Sequence, residues 1–356
     1  MARLDGTLAV GILGAGWWAS YAHIPAVLAD PRAVLRSVQK RDAAAARKVA
    51  DHFGIEHAFT CECDLLADPG LDAVIISSTP NAHYRQAKAA LEAGKHVLLE
   101  KPMTLTVAEA SELVGLASAR QLQLLISCPW HYTAHGIAAR RLIADGRLGK
   151  VKMISVLMTN PIDNLLRGQD TAVTHGSGAL LAPDKSSYSD PAVAGGGQIY
   201  CQVSHAAAYL TFLTGARATE VHARFDNAGA AVDLYDVLSL KMTDGSFVSL
   251  ASTGATPTGQ RHYEVRVFGT EGVLSLELWQ GTMSLCRFDG EKTDYPPLAE
   301  ADIYPDRAPA NNLIDAALGT ADNGSPGTLG LAAMQVIEAA CASADTGLPV
   351  RTGVTA

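Results

Sequence analysis

The chain reads as a two-domain α/β protein: a doubly wound parallel sheet at the N-terminus, followed by an α+β domain with a largely antiparallel sheet. Three observations carry this. Over roughly the first 125 residues, short β-rich runs alternate with helical stretches, a rhythm that needs parallel strands and crossover helices. Beyond Pro129 the rhythm gives way to paired strands joined by short turns. The length of 356 residues and a hydrophobic content of 48% suffice for two cores. The expected domains are 1–128 and 129–356.

The elements follow in order. TLAVGILGAG is a strand running into a tight turn, and AHIPAVLAD continues as a helix ended before Pro31. AVLRSVQKR is a second strand, and DAAAARKVADHFG a helix stopping at Gly54. LDAVIISSTP is apolar enough for a strand buried on both faces. NAHYRQAKAALEAG, HVLLEKP, TVAEASELVGLASAR and LQLLISCP complete the alternation as helix, strand, helix and strand. HGIAARRLIADGRLG is then a helix and VKMISVLMTN a strand. A polar stretch of Gly, Ser, Asp and Pro follows, a length of loop that usually serves function. GGGQIYCQVSHAAAYLTFLTG reads as one helix stopped by Gly215. AVDLYDVLSLKM and FVSLAST pair across TDGS, and HYEVRVFG and VLSLELW across TEG, as a meander with one covered face. TLGLAAMQVIEAACASADTG is a final helix.

Composition excludes several classes. A net charge of −8 gives no general affinity for nucleic acid or an anionic membrane surface. The N-terminal apolar run leads into a glycine turn, unlike a signal peptide, and no stretch is expected to reach the ~20 apolar residues of a membrane span. The six cysteines are scattered without a CxxC pair, so free thiols in a reducing cytoplasm are expected.

Gly14, Gly16 and Ala19 form a GxGxxA turn after a strand and before a helix, the context that makes this pattern specific for a dinucleotide. The N-terminal domain is therefore expected to be a Rossmann domain. Gly14, Ala15, Gly16, Trp17 and Trp18 would face the diphosphate. The adenosine ribose is expected to meet the end of the second strand, where Lys40 and Arg41 stand in place of an acid. Two cations there suit a 2′-phosphate, which favours NADP(H) with NAD(H) possible; Asp42 is the alternative ribose ligand if the strand ends later.

With Glu100-Lys101-Pro102 and Gly195-Gly196-Gly197 ahead of His205, the chain resembles the glucose–fructose oxidoreductase/inositol dehydrogenase/MocA family over nearly its whole length. TPNAHY at 79–84, EKPMTLTVAEA at 100–110 and VFGTEGVLSL add to the resemblance. It implies a Rossmann domain, an open C-terminal sheet and an active site between the domains. It also implies reversible hydride transfer at a hydroxyl-bearing carbon of a sugar, cyclitol or glycoside. Related alternatives are a dihydrodiol- or biliverdin-type reductase and a non-catalytic dinucleotide-sensing regulator.

Lys101, at a strand end, can polarise a substrate hydroxyl and pass its proton; the resemblance makes it catalytic. His205 is the second proton-transfer candidate. The family places a carboxylate at the position of Cys201, one helical turn earlier; here Cys201 is read as a small apolar filler, and two ligands are too few for zinc. No metal is therefore expected. Gln198, Tyr200 or Gln202 is a candidate substrate contact. Thr79, Pro80, Asn81 and His83 would line the nicotinamide side, with Glu100 adjacent; His83 is equally readable as structural. Trp130, His131 and Tyr132 depart from the family pattern and offer either sugar-stacking rings or packing. Asp163, Asn164, Arg167 and His175 are polar loop residues without an assigned role. The exposed face of an open sheet implies a homodimer or homotetramer.

Overall fold

Strands β1 (Leu8–Leu13), β2 (Ala33–Gln39), β3 (His57–Phe59), β4 (Ala73–Ile76), β5 (His96–Leu99) and β6 (Leu124–Ile126) form one parallel sheet, ordered β3-β2-β1-β4-β5-β6. The order reverses between β1 and β4, the switch point at which such sheets bind ligands beyond their carboxyl ends. Both strands are buried along their whole length. The structure, a computed structural model, describes residues 6–169 and 180–354; His175 lies outside the described residues.

The helices between these strands start where their caps dictate. Asp42 accepts from Ala45 N at 2.6 Å to begin Ala43–Phe53. Thr106 and Glu109 form a reciprocal capping box ahead of Val107–Ala119. The helix expected after the glycine turn opens instead with a π-helical segment, Ala19–His23, before Ile24–Ala29. β3 and the short helix Glu62–Leu66 were not anticipated, since three and five residues are too few to show a period.

The chain packs as two compact units. Among the described residues the first comprises 6–127, 180–187 and 306–331. The segment 306–331 thus departs from the expected 129–356 domain. The reason is packing: helix Ala308–Leu318 places Ala310, Leu313 and Ile314 in one cluster with Val10, Ile12, Ile75 and Leu98.

The second unit holds β7 (Val151–Thr159), β8 (Ala218–Asp226), β9 (Tyr235–Met242), β10 (Phe247–Thr253), β11 (His262–Gly269), β12 (Gly272–Glu277), β13 (Thr282–Arg287), β14 (Lys292–Asp294) and β15 (Val350–Arg351). Their order is β14-β13-β12-β11-β7-β10-β9-β8-β15, antiparallel except for β7 beside β10. The β9–β10 and β11–β12 hairpins match expectation. They are not a continuous meander, because β7 lies between β10 and β11. A pairing between segments so far apart in the chain leaves no local signal in the sequence.

Helix Gly327–Thr346 is long and apolar enough to cross a membrane by length and composition, contrary to expectation, and 61% of its most apolar stretch is buried inside the fold. The expectation of six free thiols is also corrected: Cys61 and Cys63 form a disulfide with Cα atoms 5.3 Å apart. Both stand at the start of Glu62–Leu66, and that short turn was not legible in the sequence.

Candidate active site

In the first unit the glycine turn is built against β2 and β4. Gly14 N and Ala15 N both donate to Gln39 O at 3.0 Å. Gly14 has φ +74°, and a Cβ there would lie 2.4 Å from Ser78 Cα. Backbone strain and crowding both require glycine at this point. Gly16 differs: a Cβ would meet nothing nearer than Gly14 O at 3.8 Å. Its missing side chain leaves open space instead of relieving a clash, which fits a diphosphate approaching the backbone. Trp17 and Trp18, both half-buried, follow directly, with ring centroids 5.4 Å apart.

Lys40, half-buried, and Arg41, exposed, come immediately after β2. Asp42, the alternative ribose ligand, is engaged as a helix cap. Thr79 Oγ1 donates to Asn81 Oδ1 at 2.8 Å, and Pro80 begins helix Pro80–Glu92. His83 is 1% exposed, with Nδ1 2.7 Å from Pro102 O and Nε2 3.1 Å from Ser78 O. Burial holds its pKa below the ordinary imidazole value, against those two carbonyls. It ties the Lys101-Pro102 turn, whose peptide bond is cis, to the end of β4.

Glu100 is 8% exposed, and its Oε1 lies 2.9 Å from His23 Nε2. His23 ends the π-helical segment that begins three residues after Gly16. Burial alone would raise the Glu100 pKa, but the His23 hydrogen bond and charge, with the Lys101 charge, hold it below the usual carboxylate range. A carboxylate in this state cannot serve as a proton donor at neutral pH. It fixes Lys101, whose backbone N donates to Glu100 Oε2 at 3.2 Å. The carboxyl end of this sheet therefore gathers the glycine turn, Lys40, Thr79, Glu100 and Lys101. No sequence signal pointed to His23 as the link.

In the second unit Gly197 has no room for a side chain, since a Cβ would fall 2.1 Å from Asp233 O. Asp233 Oδ1 accepts from Gly197 N at 2.8 Å and Oδ2 from Ile199 N at 2.7 Å. This carboxylate, missed in the sequence, anchors the start of the helical stretch that carries His205. The stretch opens as a π-helical segment, Ile199–Val203, and becomes α-helical at Ser204–Thr214, a wider turn than the regular helix expected. Cys201 is 8% exposed, and Gln202 Nε2 lies 3.6 Å from its sulfur. His205 is 4% exposed, with its ring edge-on to Trp130 at 5.3 Å.

Trp130 sits at the centre of an aromatic cluster with Tyr263, Trp279 and Tyr304, at 4.7–5.0 Å between ring centroids. His131 stacks on Phe212 at 4.6 Å. Burial, helped by the Arg140 charge, pushes its pKa down to about 3. Both are 2% exposed and offer no open face for a sugar ring in this conformation; Tyr132 is half-buried. Arg167 Nε pairs with Asp163 Oδ1 at 3.0 Å within one short turn. Among the described residues, two groups hold ligand atoms within 4.8 Å of one another, Cys61/Cys63/Asp64 and His262/Glu264/Glu277, and neither includes Cys201 or His205.

Residues 8–127 match the oxidoreductase family with an NAD-binding Rossmann fold, and residues 137–275 match the GFO/IDH/MocA C-terminal domain. The chain belongs to this family of NAD-binding oxidoreductases. It is 36% identical over 155 residues to a dTDP-3,4-didehydro-2,6-dideoxy-α-D-glucose 3-reductase of Streptomyces antibioticus, covering 43% of this chain and 47% of that one. With 1,5-anhydro-D-fructose reductase of Ensifer adhaerens it shares 28% identity over 305 residues, 83% and 84% of the two chains. The chain spans under half the length of the first curated relatives it matches: 40%, 38% and 47%. A levoglucosan dehydrogenase structure with NADH and levoglucosan has the same fold, at a TM-score of 0.82, 17% identity and coverage of 98% and 100%.

Proposed function

We propose that this chain is an NAD(P)-dependent dehydrogenase or reductase acting at a hydroxyl-bearing carbon of a sugar, cyclitol or glycoside. The observation that carries the reading is the His23–Glu100 hydrogen bond. It couples the helical segment after the glycine turn to the strand end that presents Lys101. The nicotinamide, when bound, accepts or donates the hydride. Gly14, Ala15, Gly16, Trp17 and Trp18 hold its diphosphate, and Thr79, Pro80 and Asn81 line its ring. Lys101 of the first unit and His205 of the second are the proposed proton-transfer residues. The sugar-acting names of the relatives support the substrate class. The direct experiment is absorbance of the reduced nicotinamide in purified protein, before and after candidate sugars, cyclitols and glycosides are added. No change with any of them would overturn the substrate class.

NADP(H) is the proposed cofactor, since Lys40 occupies the first position after β2. Lys40→Asp is expected to weaken NADP binding by roughly tenfold to a hundredfold, the value of one charge-assisted contact, and to improve NAD binding. Dissociation constants for NADP that stay level would sink this assignment.

We also propose a homodimer or homotetramer joined through the outer face of the second sheet. Met153, Leu157, Tyr235, Val237 and Phe247 are 38–58% exposed there. Val237 and Leu157 flank Ala251 in register, and Phe247 lies beside Met153. Val237→Glu should lower the mass seen by light scattering; an unchanged mass would place the interface elsewhere.

A further inference from the structure

We propose that Cys61 and Cys63 are a redox-active dithiol site, exchanging with small-molecule thiols and disulfides, whose state sets dinucleotide affinity; the second half rests on the dinucleotide reading above. The two cysteines flank Glu62 just after β3 and are joined in the structure. Cys61 is half-buried and Cys63 exposed, within reach of a solvent thiol. Cys128 and Cys201, by contrast, are buried. Exposed disulfides are the labile ones, because exchange requires attack on an accessible sulfur.

The residues around the pair lead to the glycine turn by two routes. Thr60 O, on one side, accepts from Gln39 Nε2 at 2.9 Å, and Gln39 Oε1 accepts from Gly14 N at 3.3 Å. Glu62, inside the ring, accepts from Gln86 Nε2 at 2.9 Å and pairs with Arg85. Gln86 Oε1 in turn accepts from Ser78 Oγ at 2.6 Å. Ser78 is the residue against which Gly14 is packed. A closed ring holds Thr60 and Glu62 in this arrangement. Opening it frees the backbone between them, so the two glutamines lose a fixed anchor and the Gly14 turn loosens.

The exchange balances without a further reactant. One cysteine thiolate attacks a sulfur of a small disulfide, RSSR, and expels one RS⁻. The second thiolate then displaces the other RS⁻ and closes the protein disulfide. The protein pair is oxidised by two electrons, RSSR is reduced to two thiols, and the two cysteine protons leave with them.

The test is a redox titration of the full chain in mixtures of oxidised and reduced dithiothreitol, read by alkylation and peptide mass, with dinucleotide dissociation constants measured at both ends. The Cys61–Cys63 peptide is expected to pass between a closed and a doubly alkylated form while Cys128 and Cys201 stay unmodified. The dissociation constant should be about threefold to tenfold weaker in the reduced state, the value of one lost hydrogen bond. Cys61→Ser/Cys63→Ser should show a single value in both buffers. A peptide that never interconverts overturns the site. Interconversion with unchanged affinity overturns the coupling alone. Absence of dinucleotide binding in both states would fail the cofactor reading and the coupling together, leaving the thiol titration standing. Asp64 lies with both sulfurs within 4.8 Å, so stoichiometric zinc on the reduced chain, lost in Cys63→Ser, would replace the redox assignment with a metal site.

Discussion

Replacement of Lys101 by alanine is expected to lower kcat by about 10²–10⁴-fold, the usual contribution of general acid–base catalysis. His205→Ala should lower it by a similar order. Dinucleotide affinity should change little in either, since neither residue is assigned to the diphosphate or the ribose. A hydride leaves a carbinol carbon only as the hydroxyl loses its proton, so the reaction needs an acceptor for that proton. If both residues act on the same proton, the double variant loses less than the product of the single losses. A His205→Ala protein with normal turnover would make His205 a packing residue beside Trp130. Losses that multiply fully would mean that the two residues serve separate steps. Circular dichroism on each variant separates loss of chemistry from loss of fold.

Asp236→Asn is expected to stabilise the protein, increasingly so toward alkaline pH. Asp236 is 1% exposed, and its carboxyl lies within side-chain hydrogen-bond reach of the Asp233 carboxylate. Burial and the neighbouring Asp233 carboxylate push its pKa up to about 9. The folded value thus lies above the unfolded one. Its contribution is most favourable below the ordinary carboxylate range and is lost as pH rises toward about 9, at a limiting slope of ~1.4 kcal/mol per pH unit. The asparagine variant removes that dependence. Melting temperatures of both proteins from pH 5 to 9 would test this: curves that stay parallel would show that Asp236 carries the same charge in the folded and unfolded chain, so that its folded pKa is not raised.

The sequence carried the parallel sheet because its central strands β1 and β4 are wholly apolar and its helices are capped and punctuated locally. It carried the glycine turn because Gly14 answers both a positive φ and a near neighbour, Ser78. It did not carry the partners that fix the turn. Gln39, Gln86 and His23 act through contacts between residues far apart in the chain, and such residue types have no spacing rule. Asp233 and Asp236 were hidden inside a strand pattern read only for its hairpin. Yet Asp236 shares its parity with the buried Leu238 and Leu240, so period two alone already turned a carboxylate inward. Trp130 and His131 are open to two readings in the sequence, because aromatic rings suit both sugars and cores. Only their burial distinguishes the two uses.

The return of helix Ala308–Leu318 to the first sheet sets a constraint on how the chain is made. β1 leaves the ribosome early, but the apolar cluster around Val10 and Ile12 is completed only by Leu313 and Ile314. At about 5–20 residues per second, the earliest strand waits tens of seconds for its last covering. During that interval the nascent sheet carries an apolar face that only a chaperone, or the chain's own later segments, can shield. A fragment cut after Ser127 would hold the same vulnerable face permanently, so the glycine turn is not a portable module of this protein.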